Sequence, residues 1–403
     1  MTTMKHLATF IAALLLVPAL ARADGFIVGA DVSTLAEVER HGGKFSTADG
    51  KPGDALQILK DNGVNWVRLR LWHTPVFAAD VVEDGRVVVK KGAAVGGGNN
   101  DLATTMRLAR RAKALGQKVL LDIHYSDFWA DPKTQTKPVA WADLHGDALQ
   151  AAVREYTADV LEALDAVGAS PDMVQIGNET NAGMLWPDGQ SWSADKDARI
   201  GGDAAFAALL RAGIAGVRAN DARNHRHLAV MLHLAGGTDP VLCHHMFDLF
   251  VAEHLDYDVI GLSYYSYYHG PIAALKSNLD ELAVHYRKPL IVVETAYGWT
   301  TDDADGTPNL FNAEQAAKVG WPATVQGQAQ AIRAVIDTVA AVPLGLGRGV
   351  FYWEPAWIPA KGAGWRTGQG NNWENQALFD FNGRALPSLQ ALRAPSAASA
   401  SAP

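Results

Sequence analysis

The chain has 403 residues, 48% of them hydrophobic and 19% charged, which is ample material for a large buried core. Its formal net charge is −8 and no Lys/Arg cluster stands out, which argues against nucleic acid and anionic membrane as partners. A single cysteine, Cys243, excludes an intramolecular disulfide, so stability has to come from packing.

Met1 to Ala23 reads as a secretory signal. Lys5 gives the basic start, Phe10 to Leu20 the apolar stretch, and Ala21-Arg22-Ala23 the small-residue cleavage pattern. No later apolar run approaches the ~20 residues of a membrane span. The mature chain is expected to begin near Asp24 and to work in the periplasm or outside the cell. At the other end, Ala394 to Pro403 contains only Ala, Ser and Pro and is expected to be a disordered tail.

Between these ends, short apolar runs of strand type alternate with longer helical patterns. The expected strands begin with Phe26 to Asp31, Trp66 to Trp72 and Lys118 to His124. The fourth, Asp172 to Ile176, ends abruptly in Gly177-Asn178-Glu179. The last four are Leu228 to His233, Val259 to Tyr265, Pro289 to Thr295 and Gly349 to Glu354. Helical patterns fill the intervals, and Gly63, Gly116 and Gly168 close the first three of them. Eight such units in one compact length predict a single (β/α)8 TIM barrel of the α/β class, spanning 24–393. Near-continuous apolar strands fit a parallel sheet covered by helices. The rival is a doubly wound open sheet, but no Gly-x-Gly-x-x-Gly follows the first strand. Gly96-Gly97-Gly98 lacks the Lys-Ser/Thr of a phosphate loop and reads as a flexible rim loop.

Barrels of this kind carry their chemistry at the C-terminal strand ends. Here those ends hold Asp31, Arg70 with Trp72, His124 with Tyr125 and Asp127, Asn178 with Glu179, His233, Tyr264 with Tyr265, Glu294, and Trp353 with Glu354. Two carboxylates at one rim, Glu179 and Glu294, suggest glycoside hydrolysis, with one protonated to serve the leaving oxygen and the other ionised to attack. Asn178 offers an amide to a sugar 2-hydroxyl. Arg70 is expected to hold Glu294 ionised by opposite charge, and burial to raise Glu179. Trp129, Trp186, Trp299, Trp357 and Trp365 lie in loops, where their flat faces suit sugar rings.

The Asn-Glu pair ending strand four, with a Glu ending strand seven, resembles clan A of the retaining glycosidases. More closely, the chain resembles the arabinogalactan endo-β-1,4-galactanases of glycoside hydrolase family 53. The matching pieces include Gly29-Ala30-Asp31-Val32-Ser33, Val67-Arg68-Leu69-Arg70-Leu71-Trp72, the long string Asp122-Ile123-His124-Tyr125-Ser126-Asp127-Phe128-Trp129-Ala130-Asp131-Pro132, and Trp353-Glu354-Pro355-Ala356-Trp357. The resemblance implies Glu179 as general acid/base, Glu294 as nucleophile, and β-1,4-galactan as the polysaccharide partner of a monomer. It implies His124, Asn178 and Tyr264 around the cleavage point, with Asp127, Trp129 and Trp357 nearby; Arg70 and Trp353 complete the expected substrate set. A mannanase or cellulase of the same clan, or a non-catalytic glycan-binding barrel, are the alternatives.

After strand seven, oxygen-bearing residues alternate at Asp303, Asp305, Thr307 and Asn309, with Gly306 free to turn. That spacing resembles the start of a calcium loop, although it is not an EF-hand. Further ligands are expected from Gly370-Asn371-Asn372-Trp373, Asn372 above all; relatives in the resembled family carry calcium between these loops, in a structural role. His244, His245 and His254 do not share one helix face and are not expected to bind zinc.

Overall fold

The computed structural model describes residues 25–395, so the expected signal peptide and most of the Ala/Ser/Pro tail lie outside the described residues. Eight parallel strands close into a barrel: β1 (Ile27–Asp31), β2 (Trp66–Leu71), β3 (Lys118–Ile123), β4 (Met173–Ile176), β5 (Ala229–Leu234), β6 (Val259–Ser263), β7 (Leu290–Thr295) and β8 (Gly347–Trp353). Each strand pairs with its sequence neighbours, and β1 closes the ring against β8 through Ile27↔Gly349 to Asp31↔Trp353. Helices join the strands in turn, so the predicted (β/α)8 barrel is the observed one. Asp54, Asp101, Asp239 and Thr324 start four of the helices by accepting a free backbone N–H of the first turn.

The alternation of each strand sorts its side chains between two environments. In β2, Val67, Leu69 and Leu71 join the large core between sheet and helices, while Trp66 belongs to a separate cluster inside the barrel. That inner cluster is apolar and includes Ile27, Leu120, Met173, Met231, Val259, Ile291 and Phe351, which together floor the barrel. One step nearer the C-terminal rim the buried side chains turn polar: Asp31, Arg68, Asp122, Gln175, His233 and Ser263. Charges at such depth are tolerable only when paired. The floor therefore supplies packing, and the layer above it supplies the site.

One strand breaks its own alternation to do this. Ile291 and Val293 of β7 both lie in the inner cluster, so regular pleating would send Glu294 outward. Instead, Leu262 pairs with Val292 and Ser263 with Glu294, a register shift that skips Val293. Such irregularities re-aim side chains, and this one turns Glu294 toward the barrel mouth.

Two features of the loops differ from the sequence reading. An antiparallel hairpin, Val81–Glu83 with Arg86–Val89, follows β2; its Asp84-Gly85 turn, with both residues at positive φ, is a hairpin signal that the expected elements left out. The Gly96-Gly97-Gly98 segment is not a loose rim loop; it is buried, with all three residues at positive φ. A Cβ on Gly97 would sit 2.8 Å from the Trp129 ring and 3.0 Å from the Trp365 carbonyl oxygen, so glycine is required there for close packing. Among the described residues, no helix is long and apolar enough to cross a membrane.

The barrel floor is tight enough to test. A Cβ on Gly29 of β1 would fall 2.1 Å from the Phe351 ring. Gly29→Ala is expected to lower the thermal midpoint, with overpacking costing about 1–3 kcal/mol; an unshifted melting curve would contradict this packing.

Candidate active site

Arg68 is fully buried at the centre of the polar layer. Its Nη1 donates to Glu294 Oε1 at 2.7 Å and to Asp31 Oδ2 at 3.0 Å. Nη2 reaches Asn178 Oδ1 at 2.7 Å and pairs with Asp122 Oδ2 at 2.8 Å, while Nε donates to Gln175 Oε1 at 3.2 Å. Strands β1, β2, β3, β4 and β7 thus meet at one guanidinium. This corrects the expectation for Arg70, which lies one inward step higher and pairs with Glu354 at 2.7 Å and with Asp31 at 3.5 Å. Its charge also lies 4.4 Å from the Trp129 ring centre.

The two glutamates occupy different surroundings on one cleft of about 620 Å³. Glu179 sits just beyond β4 in the left-handed region, at φ 46°, after Gly177 at φ 77°. Ser263 Oγ donates to its Oε1 at 2.6 Å. Burial pushes the Glu179 carboxyl well above the usual carboxylate range, and the charge of Glu294 pushes the same way. Glu294 is raised by burial too, but Arg68 and the Tyr265 hydroxyl, which donates to Oε2 at 3.0 Å, work against the rise. The sequence reading had expected a net lowering, which burial overturns. Of the two, Glu179 holds its proton more tightly, and Glu294 is the one that ionises first.

Aromatic side chains wall the cleft. Trp129 stacks on Trp365 with centroids 4.5 Å apart, and Trp353 meets Trp373 edge-on at 4.4 Å. Arg70, His124, Trp129, Asn178 and Trp353 line the cleft as expected. His124 is held by three bonds, accepting at Nδ1 from Trp72 Nε1 and the Ala130 N–H and contacting Asp122 through Nε2.

Three expected contacts move elsewhere. Tyr264 points out of the barrel and donates to the Gly270 carbonyl, because alternation places Ser263 and Tyr265 on the inner face. Tyr265 lines the cleft instead. Asp127 accepts from the Thr74 and Val139 N–H groups and so ties two loops together without lining the cleft. Trp357 is fully buried and backs Trp365 at 5.7 Å, supporting the wall without facing the opening. Trp186 and Trp299 also lie off the cleft lining, whereas Trp373, Tyr268 and His269, which no sequence signal marked, are part of it.

The loops after β7 and β8 converge as the sequence suggested. Asp303 and Asp305 bring carboxylate oxygens within 4.8 Å of each other and of Glu374, a residue the sequence reading missed. Asn371 N–H donates to Asp305 Oδ2 at 2.6 Å, and Leu310 N–H donates to the Asn372 carbonyl at 2.9 Å. A Cβ on Gly370 would lie 2.0 Å from Thr307 Oγ1, so the two loops interlock. Among the described residues, Asn309 Oδ1, Asn372 Oδ1 and Glu374 Oε2 are buried with no hydrogen-bond partner. Burial, then the charges of Asp305 and Asp303, push Glu374 up to about 7. Oxygen-only donors, surplus negative charge and orphaned buried oxygens fit a hard divalent cation. On the outer helices His244 meets Asp248 and His285, not His254, but its ring nitrogens already engage Tyr286 and Glu281, both at 3.0 Å.

A closed (β/α)8 barrel with two unequal carboxyls lining one tryptophan-walled cleft is the arrangement of a glycoside hydrolase. The chain belongs to glycosyl hydrolase family 53, whose model matches residues 27–392. An uncharacterized protein of Niallia circulans is 42% identical over 371 residues, covering 92% of this chain and 94% of the relative. A Bacillus subtilis (strain 168) protein named endo-beta-1,4-galactanase is 37% identical over 399 residues, covering 91% and 85%. Among solved structures, the Ignisphaera aggregans GH53 catalytic domain superposes with a TM-score of 0.82 at 42% identity, covering 94% of this chain and 97% of that one.

Removing the central charge should be costly in a pH-dependent way. Burial acts to raise Asp122, but Arg68 and His124 outweigh it and hold the carboxyl below its usual range. A lowered carboxylate contributes stability that is present above its unfolded-state value and lost as pH falls through the folded one. Arg68→Met is therefore expected to lose about 3–5 kcal/mol near neutral pH. Thermal melts should show the gap to wild type narrowing on acidification; a gap that is small, or widens in acid, would contradict the pairing.

Proposed function

We propose that the protein is a secreted, monomeric endo-β-1,4-galactanase that cleaves inside β-1,4-galactan chains by double displacement with retention. The observation that carries this reading is the unequal pair lining one cleft: the Glu294 carboxyl bonded to Arg68 and Tyr265 and, among the described residues, the Glu179 carboxyl bonded only to Ser263. Membership of family 53 and the activity named for the Bacillus relative support the substrate. Secretion rests on the Lys5, Phe10 to Leu20 and Ala21-Arg22-Ala23 pattern.

In the first step Glu294 attacks the anomeric carbon while Glu179 gives its proton to the glycosidic oxygen. The bond to the leaving sugar breaks and a glycosyl–Glu294 ester forms. In the second step the ionised Glu179 takes a proton from water, the water oxygen attacks the anomeric carbon, and Glu294 leaves as a carboxylate. Inversion twice gives net retention, and retaining pairs stand roughly 5–5.5 Å apart. Asn178 uses Oδ1 on Arg68 and one Nδ2 hydrogen on the Ala130 carbonyl at 2.9 Å, leaving its second hydrogen for a 2-hydroxyl. Trp129, Trp353 and Trp365 offer the faces on which successive galactose rings lie.

Calcium completes this reading. Asp303, Asp305 and Glu374, with Asn309, Asn372 and Thr307, would hold it between the loops after β7 and β8. When bound it supplies a structural clamp, and no step of bond cleavage uses it.

Digestion of β-1,4-galactan with product sizing, with and without a chelator, tests these statements together. The wild type is expected to release fragments of intermediate length first and short oligosaccharides later, and Glu179→Ala and Glu294→Ala each to lose about two or more orders of magnitude. Chelation should lower the melting temperature of the wild type and leave Glu374→Gln little changed. Cleavage of mannan or cellulose but not galactan would overturn the substrate, unchanged turnover in either variant the roles, and a melting curve indifferent to chelator the calcium.

A further inference from the structure

Behind Glu179 lies a buried hydrogen-bonded pair that the two-step scheme does not use. We propose that Ser263 and His233 are positioning residues that decide which oxygen of Glu179 carries the transferable proton. The proposal rests on the acid/base role given to Glu179 above.

Ser263 Oγ stands between two groups, 2.6 Å from Glu179 Oε1 and 2.9 Å from His233 Nε2. A hydroxyl has one hydrogen, so it can donate to one of them. The other side of the imidazole settles which. The backbone N–H of Glu179 reaches His233 Nδ1 at 3.3 Å, and Gln175 Nε2 reaches it at 3.1 Å. Gln175 is oriented by its own bonds, accepting at Oε1 from Arg68 Nε at 3.2 Å and donating from Nε2 to Asp122 Oδ1 at 2.6 Å. Its Nε2 also lies 2.9 Å from the Gly177 carbonyl, which can take the second hydrogen, so the Glu179 N–H is the donor that makes Nδ1 an acceptor.

Asn178 Oδ1, 3.0 Å from Nδ1, would favour the opposite tautomer, but a hydrogen on Nδ1 would collide with the Glu179 N–H that points at the same atom. Among the described residues, the Glu179 N–H has no other acceptor. Its left-handed backbone is what brings that N–H onto the ring. Burial and the Arg68 charge push His233 well below the usual imidazole range, so the ring stays neutral. Its one hydrogen is then on Nε2 and goes to Ser263 Oγ, and the Ser263 hydrogen goes to Glu179 Oε1.

Oε1 is thereby kept as an acceptor, and the proton of Glu179 resides on Oε2, the oxygen left for substrate. The same Ser263 bond strengthens when Glu179 ionises, so the pair serves both halves of the cycle without rearranging. The charged groups acting on Glu179 are Glu294, Asp131 and Arg68, and those acting on His233 are Arg68, Asp122 and His124.

The test compares two leaving groups. Galactan needs a proton on its departing oxygen, whereas a dinitrophenyl β-1,4-galactotrioside does not. Ser263→Ala is expected to lower kcat/KM about 30-fold on galactan and about 3-fold on the aryl substrate, within the range of general-acid effects. Because Ser263 favours the ionised form, its loss should also move the basic limb of the galactan profile to higher pH. Ser263→Cys, a weak donor, should show the same contrast at smaller size and covers the case in which alanine fails to fold. Equal losses on both substrates with an unmoved limb would overturn the proposal while leaving the galactanase reading intact. A wild type inactive on both substrates would overturn that reading and this one with it.

Discussion

One guanidinium, that of Arg68, is bonded at once to side chains from four other strands, and the cleft depends on it. Three carboxylates close enough to share one cation would repel one another in a medium of low dielectric. With Arg68 among them they become a fixed frame. Glu294 is held against that frame and Asn178 is turned by it, while Gln175 and Asp122 lock each other in place at 2.6 Å. The setting of the Glu294 carboxyl and the orientation of the amide beside it share a single cause.

The barrel makes such a burial tolerable by layering. An apolar floor gives the packing, a polar layer above it gives the frame, and an aromatic rim gives the binding surface. Two local departures from regular geometry then aim the glutamates. A register shift in β7 turns Glu294 inward, and left-handed backbone at Gly177 and Glu179 swings the second carboxyl over the mouth. Strained or irregular backbone concentrates where chemistry needs a side chain that regular structure would misdirect.

Much of this was legible in the sequence because apolar runs and helical patterns alternate so regularly. The barrel and the eight strands could be read from period alone, as could both glutamates from their position after Val/Ile-rich runs. Two of the differences share one cause. Arg70 was chosen over Arg68 and Tyr264 over Tyr265, in each case by nearness to a strand tip when the inward face decides. Strict alternation counted from Ser263 would have found Tyr265. For Arg68 the cue was weaker, since both arginines of β2 point inward and depth alone separates them. Asp127 and Trp357 were placed near the cleft by the resemblance, but one ties loops and the other supports a wall. Glu374 belongs to a turn far along the chain from Asp303 and Asp305, and spacing cannot report such a meeting. Trp373 packs edge-on to Trp353 for the same reason of tertiary proximity.

The central claim is that Arg68 and Tyr265 make Glu294, not Glu179, the attacking carboxylate. A 2-deoxy-2-fluoro-β-galactosyl inactivator with a good leaving group forms the glycosyl ester but slows its hydrolysis. Mass spectrometry of the intact and digested protein after such treatment tests the claim most directly. The account expects one added glycosyl group, located on the peptide containing Glu294. A label on Glu179, or no covalent adduct in an enzyme still inhibited by the reagent, would contradict it.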